Sequence, residues 1–108
     1  MKNLLRGAIW FLCPCLLLSA DKQGESILLH QRNNGGWPKN YDRDRSIPEG
    51  ERKVILANKN RNDATFDNGA THTEIRYLAK TLLKTKDPRY LEAVLKGIRF
   101  MLAAQYPN

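Results

Sequence analysis

The sequence predicts an all-α protein: antiparallel helical hairpins carrying one long irregular loop. Three observations support this. Ile75, Leu78, Ala79, Leu82 and Leu83 recur at i, i+3, i+4, i+7 and i+8, the spacing of a helix that buries one face. Leu91, Val94, Leu95, Ile98, Met101 and Leu102 make a second stripe of the same kind. Only Thr85-Lys86-Asp87-Pro88 separates the two. Helices joined by so short a link are expected to be antiparallel neighbours packed stripe to stripe.

The first 20 residues read as something other than domain. Lys2 and Arg6 precede an apolar run from Ala8 to Leu18 that ends in Ser19-Ala20, the pattern of a secretory signal peptide. The run is shorter than the roughly 20 apolar residues that a membrane-spanning helix needs. Cleavage after Ala20 is imperfect, because Leu18 stands where a small residue is preferred. Cys13 and Cys15 both fall in this segment, so a processed chain would have no disulfide. Neither cysteine follows the small residues of a lipid-attachment site, and nothing near this C-x-C completes a metal ligand set. The expected location is secreted or periplasmic, without a stable membrane anchor.

Loss of Lys2 and Arg6 lowers the formal charge from +7 to +5. This moderately basic balance suits anionic partners, and secretion favours acidic polysaccharide among them. Solvated lysines on helix faces would give the same count. Nucleic acid is disfavoured, since the basic residues are scattered and no aromatic platform accompanies them.

A short helix is predicted within Asp21–Asn34, centred on Glu25–Gln31 and too narrow in its apolar face to stand alone. Asn33-Asn34-Gly35-Gly36 stops it with residues suited to left-handed torsions. Trp37 follows in this Gly-rich loop, either as a plug sealing a helix pair or as a stacking surface for a sugar ring. Residues 40–66 read as a polar, irregular loop, which in a compact domain is functional or disordered. Asp42, Asp44 and Ser46 mimic the start of an EF-hand. Ile47 and Lys53 occupy the positions where that loop needs Gly and Glu, so the EF-hand is rejected. Val54-Ile55-Leu56-Ala57 is the one apolar island, either a short strand or a helical turn.

The stretch Asp67-Asn68-Gly69-Ala70-Thr71-His72-Thr73-Glu74 is the first place to look for chemistry. Thr71 and Glu74 have the spacing of a capping box, which sets a helix start at Thr71. Asp67 and Asn68 are adjacent oxygen donors held against that start. They suit a hard cation such as calcium, or are ordinary turn residues. The helix is expected to reach Lys84, with Arg76, Lys80 and Lys84 as a basic ridge on its other side. Asp87 is the expected N-cap and Pro88 the first residue of the last helix, which extends to about Gln105. Gly97 allows close approach to its neighbour. Ile27–Asn34 also aligns with Met101–Asn108 through a shared Leu, Gln and Asn, as in arrays of repeated helical hairpins.

Gln31-Arg32-Asn33-Asn34-Gly35-Gly36-Trp37-Pro38-Lys39-Asn40, Asp67-Asn68-Gly69-Ala70-Thr71, Tyr90-Leu91-Glu92-Ala93 and Leu102–Asn108, taken together and in order, resemble the opening third of the pectate lyases of polysaccharide lyase family ten. The resemblance spans nearly all of residues 25–108. It implies a toroid of paired helices, of which this chain would be the first part, and calcium-assisted β-elimination of polygalacturonate. It carries Asp67 and Asn68 over as calcium-site residues, and Trp37 and Lys39 as members of a motif near the substrate. The family's catalytic arginine and its remaining acidic ligand would lie in a later region, so no catalytic residue is assigned here. The resulting expectation is a monomeric, truncated pectate lyase, inactive alone. Two other readings remain open. One is a module that binds acidic polysaccharide through Lys39, Arg43, Arg45 and the basic ridge without cutting it. The other is a non-functional fragment of marginal stability.

Overall fold

The computed structural model describes residues 21–105, so the signal-peptide reading and both cysteines lie outside the described residues. The helices are α1 (Lys22–His30), α2 (Glu49–Ala57), α3 (His72–Thr85) and α4 (Pro88–Gln105), with a 3-10 turn at Asp67–Gly69. The described residues contain no strand, which establishes the all-α class.

Polar side chains at the ends of α1 hold it in place, where its narrow apolar face could not. Asp21 caps it, Oδ1 accepting the Gly24 N–H at 2.8 Å. The same carboxylate receives the Tyr77 hydroxyl from α3 at 2.7 Å and the Tyr90 hydroxyl from α4. One nearly buried acid thus ties three helices together. At the other end Gln31 Nε2 donates to Gly35 O (2.9 Å) and to Ala93 O of α4 (3.0 Å).

Trp37 is the centre of the core. It is completely buried, and Ile27, Leu78, Tyr90, Ala93 and Val94 are buried around it. Its indole N–H is satisfied by Ile27 O at 2.7 Å, as a buried indole requires. The preceding loop reaches this position because Gly35 adopts φ +99°, where a side chain would be strained and would run into Lys96 O. Gly97 plays the expected part: a Cβ there would lie 2.7 Å from Ile75 Cγ1 and 3.1 Å from the Trp37 ring.

Helices α3 and α4 make the most extensive helix–helix contact; the expected stripe of α3 faces the core through Ile75, Leu78, Ala79 and Leu82, but the buried face of α4 is shifted from the one expected. The buried face of α4 is Tyr90, Ala93, Val94 and Gly97, whereas Leu91, Leu95, Ile98 and Leu102 are 40–51% exposed. On α3, Leu78 is buried and Leu83 is 77% exposed. Close packing against Ile75 and the indole selects the small residues Ala93 and Gly97, so the face next to the largest aliphatic residues wins. The link between the helices follows expectation. Lys86 caps α3 in a left-handed conformation with its N–H on Leu82 O (2.8 Å), and Asp87 Oδ1 accepts the Arg89 N–H (2.9 Å) at the start of α4.

Residues 40–66 are not irregular throughout, because α2 occupies the middle. The Val54–Ala57 island is its last turn and not a strand. Glu49 and Glu51 lie in its first turn, where they suit the positive end of the helix dipole. No residue of α2 is buried. What attaches this region is polar: Arg32 makes a two-pronged pair with Asp63 (2.7 and 3.0 Å), and Asn33 N donates to Lys59 O (2.8 Å). The Lys59 ammonium caps the end of α1 through Gln31 O at 2.7 Å. Burial and neighbouring cations lower its pKa to about 8.

Candidate functional site

The loop before α3 is built on unusual backbone. Asn68 (φ 54°) and Gly69 (φ 79°) are left-handed, and Thr71 stands at φ 71°, ψ −62°. His72 N donates to Ala70 O at 2.9 Å, which closes a γ-turn of the rare, strained hand around Thr71. A β-branched residue at positive φ is an outlier, with a cost of about 1–3 kcal/mol.

Hydrogen bonds from every side hold Thr71 in this state. Its hydroxyl accepts the Trp37 N–H (2.9 Å) and donates to Thr65 O (2.8 Å), while its own N–H donates to Glu74 Oε1 (2.8 Å). Thr65 N returns to Trp37 O at 3.0 Å. The capping box expected from the spacing is therefore present, and it is also the point where the Trp37 loop is joined to α3.

Glu74 extends the network inward. It is completely buried, and its Oε2 accepts the Tyr41 hydroxyl at 2.8 Å and lies 3.2 Å from Arg43 Nη2. Tyr41 stacks on His30 with ring centroids 4.1 Å apart. Burial, then the Glu74 charge, pushes the Tyr41 phenol far above its ordinary value. Burial lowers the His30 pKa. Its Nδ1 donates to Ser26 O at 2.9 Å.

On this frame Asp67 projects outward, its side chain 70% exposed, with Lys39 Nζ 3.4 Å from Oδ2. Ala70 N on Asp67 O (2.9 Å) and Asp67 N on Thr65 Oγ1 (3.1 Å) fix the turn that carries it. Of the four residues singled out from the sequence, Lys39 and Asp67 thus meet on one exposed edge, and Asn68, next in the chain, is exposed as well. Trp37 is not. With no exposed surface its ring offers no face to a sugar, and it acts from beneath by placing its backbone against Thr71.

Asp67 and Asn68 could hold a cation through a carboxylate and an amide oxygen. Among the described residues, no group of three or more His, Cys, Asp or Glu is placed to hold a metal ion. Asp42 instead makes a local turn, its Oδ1 accepting the Asp44 N–H at 2.8 Å. Arg43 and Arg45 are committed to carboxylates, Arg43 to Glu74 and Arg45 to Glu51. Arg43 faces a buried carboxylate, whereas the Arg45 pair is exposed on both sides. Sequence reasoning missed the Tyr41–Glu74–Arg43 network. The capping box marked Glu74, but nothing in the spacing signals its complete burial.

A family model described as pectic acid lyase matches residues 31–108. That span contains the Trp37 loop, the Asp67 turn, α3 and α4. Comparison with curated proteins and with solved structures returns no match. On the family match, which covers well over half of its length, the chain belongs to the pectic acid lyase family.

Proposed function

We propose that this chain serves pectate lyase chemistry, in which polygalacturonate is cleaved by β-elimination with the help of calcium, and that Lys39, Asp67 and Asn68 form one wall of the calcium and uronate site. Family membership and the approach of Lys39 to Asp67 on one exposed edge support the reading. In β-elimination a base removes the C5 proton, a C4–C5 double bond forms, and the bond from C4 to the glycosidic oxygen breaks. The C5 proton is weakly acidic until the adjacent carboxylate is neutralised. Bound calcium would supply that neutralisation as a Lewis acid.

The donor chemistry fits a hard cation, since both candidate ligands are oxygen donors on an exposed turn. The left-handed torsion at Asn68 and the Ala70 N to Asp67 O bond fix the backbone of the turn that carries both. Their number is below the six to eight oxygens that calcium takes, so further oxygens, from protein, substrate carboxylates or water, would complete the set. Lys39 Nζ lies 3.4 Å from the Asp67 carboxylate in an exposed pair. Its flexible stem lets the ammonium turn to a uronate carboxylate instead.

A wall of this kind binds without turning substrate over. The test is retention of the 108-residue chain on immobilised polygalacturonate, with and without calcium, alongside an absorbance assay for unsaturated products. Calcium-dependent retention without product is expected. Clear product from the purified chain would refute the inactivity, and retention indifferent to calcium would refute the metal role.

A further inference from the structure

Lys39 and Asp67 are 28 positions apart in the chain, and one threonine bonds to both of the segments that carry them. Thr65 N donates to Trp37 O at 3.0 Å, and Thr65 O accepts the Thr71 hydroxyl at 2.8 Å. The backbone of Thr65 is thereby fixed against the Trp37 loop and the start of α3. Its side-chain hydroxyl is used differently: it accepts the Asp67 N–H at 3.1 Å, closing the kind of turn that Thr makes with the backbone two residues on. On the other segment only Pro38 separates Trp37 from Lys39, and its ring fixes φ. A restraint on the Trp37 peptide therefore carries to Lys39.

We propose that Thr65 is a positioning residue, whose hydroxyl holds Asp67 in place opposite Lys39 for calcium and uronate. The inference rests on the reading of Lys39 and Asp67 as parts of one wall of that site. The two side chains do not hold each other, since they are 44 and 70% exposed and such pairs contribute little. Their placement comes from the backbone beneath, and Thr65 is where the two backbones are joined. Phe66 rests beside Phe100 of α4, with ring centroids 5.4 Å apart, so the path of the chain between Thr65 and Asp67 has a second anchor. Loss of the hydroxyl would loosen the carboxylate without releasing the loop. Thr71 differs in this respect, because its hydroxyl serves the fold itself.

The test compares Thr65→Val and Thr65→Ser with the parent 108-residue chain. Val keeps the β-branched shape and the backbone bonds, and removes only an acceptor at an exposed position, so the urea midpoint should stay close to that of the parent. The calcium concentration for half-maximal retention on polygalacturonate should rise about tenfold for Thr65→Val and stay within about twofold for Thr65→Ser, as for loss and retention of a bond that orients a metal ligand. Without calcium, amide hydrogen exchange should quicken at Asp67 in Thr65→Val and be unchanged at Thr65 and Trp37. Parent-like calcium dependence in Thr65→Val overturns the inference alone, as does equal exchange at Asp67 in the two chains. So does a Thr65→Ser chain no better than Thr65→Val, or a loss of retention matched by a fall in urea midpoint, since either would make Thr65 a part of the fold only. Retention of the parent that is indifferent to calcium overturns the calcium reading and the inference with it.

Discussion

Replacing Thr71 with Val tests whether one hydroxyl holds the Trp37 loop to α3. Val keeps the β-branched shape, so the strain at φ 71° is unchanged and only the oxygen is lost. Two completely buried residues are affected, because Thr71 and Trp37 both have 0% exposure. The Trp37 N–H loses its acceptor at 2.9 Å and Thr65 O loses its donor at 2.8 Å. A buried donor left unpaired costs about 1–3 kcal/mol. Thr65 O is only part-buried and recovers some of its loss from water. The sum is about 3 kcal/mol, a large share of the 5–15 kcal/mol typical of a domain. Urea denaturation followed by circular dichroism should show the midpoint falling accordingly. Thr71→Ser, which keeps the hydroxyl and removes one methyl, should lose about 1 kcal/mol. If Thr71→Val stays within about 0.5 kcal/mol of the parent, the ordinary range for a neutral surface change, the hydroxyl is not what joins the loop to the helix.

The other predictions separate frame from site. Glu74→Gln should cost about 2–4 kcal/mol, because it leaves the Arg43 guanidinium beside a neutral group in a buried network; an unchanged urea midpoint would refute this. Asp67→Ala should remove calcium-dependent retention on polygalacturonate and leave stability within about 0.5 kcal/mol, since its ion pair with Lys39 is exposed; retention equal to the parent would refute the ligand role. Burial holds the His30 pKa below 6.5 in the folded state, so the unfolded chain takes up the proton first as pH falls. The contribution of this group is complete above pH 6.5 and is lost as pH drops from there through the folded value. His30→Phe, which can still stack on Tyr41, should flatten the fall in urea midpoint between pH 7 and 5, and an unaltered slope would count against it.

The sequence by itself determined the helical class, three of the four helices, the capping box and the turn at Asp87-Pro88, because periodicity, capping and proline chemistry are local. It also marked Lys39, Asp67 and Asn68. That Lys39 reaches Asp67 across 28 positions is a product of folding. Helix α2 was hidden because polar helix formers around one short apolar island resemble a loop when no core face is present. Tertiary structure decided which faces are buried. Hydrophobicity counts pointed to Leu91, Leu95 and Ile98, but close approach to Ile75 and Trp37 rewards Ala93 and Gly97, a steric choice that no single helix reveals. It likewise decided that Trp37 supports the site from below, because a side chain's exposure depends on every element packed around it.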